Sequence, residues 1–151
     1  MDDAEQFYQA TVDSRASLTE LQLSRLVTRY EMGHYDEVLK GLPVVRAIAG
    51  DLGMITTFAK SQMLEGVTLK ALGRLEESVG PLTLACTNEV IRRNPMLSAF
   101  AHEHLADSFL LGGRGSEGRT LLRSVAESLK SIDAPTAHAV LKMLVGQCFR
   151  L

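Results

Sequence analysis

Gly66-Val-Thr-Leu-Lys-Ala-Leu-Gly73-Arg-Leu-Glu-Glu-Ser78 sets a small residue inside an apolar helix, a glycine stop, a basic side chain and glutamates where the next helix starts. Glycine takes the left-handed conformation just past a helix C-terminus, and acidic side chains favour the N–H end of the helix that follows. The stretch therefore predicts two helices folded back on one another. Shifted by 40 residues it recurs: Gly73 has counterparts in Gly33 and Gly113, and Glu77 in Glu37 and Glu117. Pro95 and Pro135 also stand 40 apart, each where a helix would begin and where a missing N–H costs nothing.

The same register runs through the apolar positions. Seven residues before each glycine stand Leu26, Gly66 and Ala106, followed one period on by Gly146. Three of these four are small enough for close helix approach. Gly66→Leu is expected to overpack such a crossing, whereas Gly66→Ala is expected to be neutral or stabilising, because helix interiors prefer alanine. Thr28, Thr68, Ser108 and Cys148 are a second compact series. His34, Arg74 and Arg114 follow the three glycines and complement the carbonyl end of one helix, as the glutamates complement the N–H end of the next.

These features divide the chain into an N-terminal segment, 1–16, with a short helix from Asp3 to Val12, and an array from 17 to 151. Ser17 and Glu20 form a capping box that would open the first helix of the array. The repeats fall at 17–53, 54–93 and 94–133, with the first helix of a fourth over 134–151. Pro43 and Pro81 fall inside second helices, where an interior proline costs about 3 kcal/mol unless the helix kinks or starts later. The fold class is all-α.

Composition narrows function. Of 151 residues 46% are hydrophobic, enough for a core, and 16 Lys plus Arg against 18 Asp plus Glu leave a formal charge of -2. No basic footprint for direct nucleic-acid binding exists. Charged residues interrupt every apolar run before the roughly 18 residues that a membrane span requires, so no membrane partner is expected. Cys86 and Cys148 sit among apolar residues and no secretory signal opens the chain, which together imply a cytoplasmic setting.

A helical hairpin with a small residue in its first helix, a glycine seven residues later and an aromatic or leucine two beyond resembles the tetratricopeptide repeat, with Gly33-His-Tyr-Asp-Glu-Val38 the best match. The resemblance covers about residues 17 to 151. Its spacing is 40 where the common repeat has 34, and the bulky aromatic early in the first helix is replaced by Gln22, Gln62, His102 and Lys142. Longer repeats of this kind look like those in bacterial regulators, such as the sensor regions of MalT-type transcription activators.

The resemblance implies an α-solenoid, a right-handed superhelix of antiparallel hairpins whose first helices line a concave, partner-binding groove. Carried onto this chain, the groove comprises Leu23, Val27 and Tyr30; Lys60, Met63, Val67 and Lys70; Phe100, Glu103, Asp107 and Leu110; and Val140, Met143, Gln147 and Arg150. Apolar and Met side chains between charges of both signs suit a protein or peptide partner. Chaperone-binding members of the family grip a C-terminal carboxylate with basic and Asn side chains. Here the matching places hold Leu23, Val27, Met63, Val67, Glu103 and Asp107, so a carboxylate clamp is not implied. Val27, Val67 and Met143 have an alternative role as core.

The expected function is a regulatory or scaffolding interaction module. The alternatives are a self-assembly element, a homodimer formed through the C-terminal helix, and a small-molecule sensor region. That helix, from about Thr136, carries Leu144 and Phe149 among apolar residues on more than one face. No cofactor, metal or catalytic group is expected. His102 and His104 are two apart, about 200° round a helix, and cannot share an ion. Ser108 beside Asp107 and His104 lacks a strained turn or oxyanion donors. Gly112-Gly113-Arg114-Gly115 has no phosphate-loop lysine.

Overall fold

The computed structural model describes residues 3–130. These form seven helices and no strand: α1 (Asp3–Glu31), α2 (Tyr35–Asp51), α3 (Ile55–Ala71), α4 (Leu75–Thr87), the single-turn α5 (Glu89–Arg92), α6 (Pro95–Leu111) and α7 (Gly115–Lys130). The described chain is all-α. Successive long helices pack on one another in chain order, and the inner helices α1, α3 and α6 also touch in sequence. The fourth-repeat positions Val140, Met143, Gln147 and Arg150, together with Pro135, Gly146, Cys148 and the helix expected from Thr136, lie outside the described residues.

Left-handed glycines close α1, α3 and α6: Gly33, Gly73 and Gly113 have φ of 80°, 74° and 81°. In each case the glycine N–H bonds to the carbonyl three residues back and the following residue's N–H bonds to the carbonyl five back, as in Arg74 N–H to Leu69 O at 2.9 Å. That pair of bonds satisfies carbonyls the helix end would otherwise leave open. Directly after the turn, Arg74 Nε donates to Glu77 at 2.8 Å and Arg114 Nε to Glu117 at 2.7 Å, while His34 Nδ1 lies 2.9 Å from Glu37. The basic and acidic side chains therefore pair with each other besides complementing helix ends.

One local expectation is corrected. α1 is one helix of 29 residues, with no break at 16/17. The Ser17/Glu20 box does not act as a terminus because no glycine or proline lies upstream of it in α1, and Thr19, fully buried, closes its own turn by donating to Arg15 O at 2.7 Å. α2 starts at Tyr35, as expected, and α4 at Leu75, and both run through their prolines, Pro43 and Pro81. α4 is shorter than α2 and stops at Thr87. Asn88 takes an extended conformation there, and its side chain accepts from Val90 N–H to begin α5.

The outer helices bury one stripe in register. Leu42, Leu82 and Leu122 are fully buried, and Val45, Ala85 and Val125 lie one turn further on. α3 is covered on several sides, by α2, α4, α1 and α6, so it buries Thr57, Ala59, Ser61, Leu64, Gly66, Val67, Thr68 and Leu69 without a clean polar face. Helix spacing is tuned by exchanging large for small across each hairpin. Leu26, the one bulky member of its series, sits against Gly41, where an added Cβ would come within 2.7 Å of Leu26 Cδ2. In the next hairpin the roles reverse, and Gly66 receives Leu82. In the third, Gly118 receives Leu110 and the backbone of Ala106.

Candidate functional groove

Side-by-side placement of α1, α3 and the start of α6 leaves a groove of about 520 Å³. Its floor and walls include Leu23, Val27, Tyr30, Met63, Val67 and Phe100, with Lys60, Glu20 and Glu31 at its edges. Each side chain arrives by the same device: positions four or seven apart on an inner helix face the same way, and the 40-residue register aligns the neighbouring helix. Leu23 and Val67 are at once floor and core, at 7% and 4% exposure, whereas Val27 and Phe100 remain 40% and 45% exposed. Tyr30 is half-buried with its ring 5.5 Å from that of Tyr35; burial, then the nearby Tyr35, raises its pKa above the ordinary tyrosine value.

Four expected groove residues are placed elsewhere in detail. Leu110 turns toward α7, into the space left by Gly118, and joins a second apolar cluster with Leu122, Val125 and Leu129. Glu103 is buried at 8% exposure within α6. Lys70 and Asp107 bind one another across α3 and α6 at 2.9 Å, and Lys70 Nζ also lies 2.7 Å from His104 Nδ1. Since an ammonium only donates, His104 Nδ1 is the acceptor and its ring is neutral with the proton on Nε2. Burial, reinforced by the Lys70 charge and opposed by Asp107, brings the His104 pKa down to about 4. The His104 ring meets Phe100 edge-on, centroids 4.2 Å apart, so this polar cluster adjoins the groove.

This cluster and the Arg46–Glu65 bridge between α2 and α3, 2.8 Å long, escaped the sequence reading. The signal for the first was opposite charge one repeat apart less one turn, Lys70 to Asp107. Leu64 and Leu97 are further apolar lining residues that it did not name.

No group of three His, Cys, Asp or Glu side chains placed to hold a metal ion occurs among the described residues. Ser108 Oγ is buried and already engaged, donating to His104 O at 3.1 Å and receiving from Ser78 Oγ at 2.8 Å. His102 Nδ1 lies 2.7 Å from Ser98 O. The Gly112–Gly115 segment forms the turn before α7, where Arg114 stacks 4.3 Å over the Phe109 ring and pairs with Glu117. Cys86 is a free, buried thiol whose pKa burial pushes up to about 12, which keeps it a protonated packing residue. Among the described residues, no helix is long and apolar enough to cross a membrane.

Compared with known proteins, the chain matches no family model, no curated protein and no solved structure.

Proposed function

We propose that the chain is a protein- or peptide-binding module, built as an α-solenoid of the tetratricopeptide type and used for regulation or scaffolding in the cytoplasm, with no catalytic step. The observation that carries this reading is the groove itself. Val27, Met63 and Phe100 come from three inner helices, two of them substantially exposed, and form one apolar surface with Tyr30 at its edge. An apolar concavity flanked by charges is the usual form of a helix- or peptide-accepting site. The repeated glycine turns and the chain-order packing of helices support the solenoid part of the reading.

Selection of displayed peptides on the immobilised protein tests it. Selected peptides are expected to lose at least about tenfold in affinity on Val27→Asp or Phe100→Asp, since each change places a charge on an apolar contact surface. Both side chains are exposed enough that helicity and melting should hardly change. Peptides whose binding survives both substitutions would place recognition away from the groove and overturn the reading.

Self-association is a second reading, favoured by α1. Phe7, Leu18 and Leu21, at 77%, 58% and 48% exposure, fall 11 and then 3 residues apart and so share one helix face. Sedimentation over a range of concentrations is expected to show a dimer in the parent and a monomer in Phe7→Asp/Leu18→Asp. A parent that stays monomeric throughout removes this reading. The homodimer face assigned to the C-terminal helix lies outside the described residues.

A further inference from the structure

The groove's charges are unevenly placed. Glu20 and Glu31 both stand on α1, 11 residues apart, which on a helix is three turns plus about 20° and a rise of about 16 Å. The two carboxylates therefore mark the two ends of one wall, and Ser24 and Val27 lie between them on the same stripe. Both are exposed, and among the described residues neither has an ion-pair partner. The opposite wall, α3, supplies a single cation, Lys60, one repeat on from Glu20. Lys70, the next lysine of α3, is already held by Asp107 and His104. The site thus offers an apolar centre with an acidic wall and an unspent carboxylate at each end.

Backbone chemistry selects the form of the occupant. Every wall is a helix, whose main-chain groups are bonded internally, so the groove offers no sheet edge to an extended peptide. A helical segment arrives with its own backbone satisfied and needs only side-chain complementarity. Resting on the peptide-binding reading above, we infer that the groove takes an amphipathic helix of a partner protein whose apolar stripe is flanked by Lys or Arg about 11 residues apart. Its apolar side chains pack on Val27, Met63 and Phe100 while its cations pair with Glu20 and Glu31.

Fluorescence anisotropy on the full 151-residue chain tests this with two labelled amphipathic helical peptides of about 15 residues, identical except for Lys or Glu at the two flanking positions. At low salt the Lys-flanked peptide is expected to bind at least about tenfold more tightly, and the gap should close as salt screens the pairs. Glu20→Lys/Glu31→Lys should reverse the preference. Glu5→Lys/Asp51→Lys, the same charge change away from the groove, should preserve it. Equal affinity for the two peptides, or equal loss in both double variants, overturns the basic-helix assignment and leaves peptide binding standing. Binding of neither peptide also overturns it, while peptide binding as such is judged by the selection experiment.

Discussion

Gly66→Ala is expected to destabilise the protein by about 1–3 kcal/mol in urea melts, and Gly66→Leu by more than that. A Cβ at residue 66 would stand 2.8 Å from Leu82 Cδ2 and 3.1 Å from the Leu82 backbone nitrogen, with Leu82 Cγ closer still. Leu82 is fully buried in the larger core cluster and has nowhere to swing, so α3 and α4 must separate. Separation loses dispersion contacts along both helices, because a gap of even half an ångström forfeits much of each contact. Helix propensity pulls the other way by about 1 kcal/mol, and on propensity alone alanine would be neutral or favourable. Contact with a backbone atom decides the sign, since a main-chain nitrogen inside a helix cannot rotate aside. Leu82→Ala removes only the side-chain part of this clash, so it should cost less in the Gly66→Ala background than in the parent, a coupling of about 1 kcal/mol in a double-mutant cycle. A Gly66→Ala protein as stable as the parent would mean that the crossing is looser than described.

What was legible in the chain is whatever a repeated physical requirement writes repeatedly. A left-handed residue after each inner helix demands glycine, so Gly33, Gly73 and Gly113 announced three turns, and all three have positive φ. A helix face recurs every 3.6 residues, so Leu23, Val27, Met63, Val67 and Phe100 could be grouped before any coordinates, and they line one groove. Features that occur once were harder to read. The capping box at Ser17 is a local pattern that a helix can carry in its interior, and only the absence of a breaker before it tells the two cases apart. The end of α4 rests on a single Asn88, which has no counterpart at residue 48 or 128, where Ile and Ser stand. Leu110 was misplaced because the room that draws it toward α7 comes from Gly118 on another helix. The Lys70–His104–Asp107 cluster depends on the lateral offset of α3 and α6, which a repeat length does not determine.

That cluster should make stability depend on pH. His104 has a folded-state pKa of about 4 against an ordinary 6.5, because burial and the Lys70 ammonium both oppose a second positive charge there. Above pH 6.5 the imidazole is neutral whether the chain is folded or unfolded, and its full contribution is present. As pH falls from 6.5 toward 4, the unfolded chain takes up a proton that the folded chain refuses, so stability is lost at up to about 1.4 kcal/mol per pH unit, reaching about 3 kcal/mol. The turn glutamates act in a lower window. The Glu37 carboxyl is held below its ordinary 4.5 by the hydrogen bond from His34, and those of Glu77 and Glu117 by Arg74 and Arg114, so their contributions disappear only further down. His104→Gln separates the two effects: its amide oxygen can still accept from Lys70 but does not titrate. Urea melts of this variant should show a shallower decline between pH 6.5 and 4 than the parent, with acid unfolding at lower pH unchanged. Lys70→Met should raise the His104 pKa by removing the ammonium and freeing Nδ1, an upward shift readable by NMR titration of the imidazole. It should also lower stability at neutral pH by about 1–3 kcal/mol, because Asp107 loses its only cation among the described residues in a half-buried site. A parent whose stability is flat from pH 6.5 to 4, or a His104→Gln variant with the parent's slope, would show that the imidazole is as well hydrated folded as unfolded and that Lys70 binds Asp107 alone.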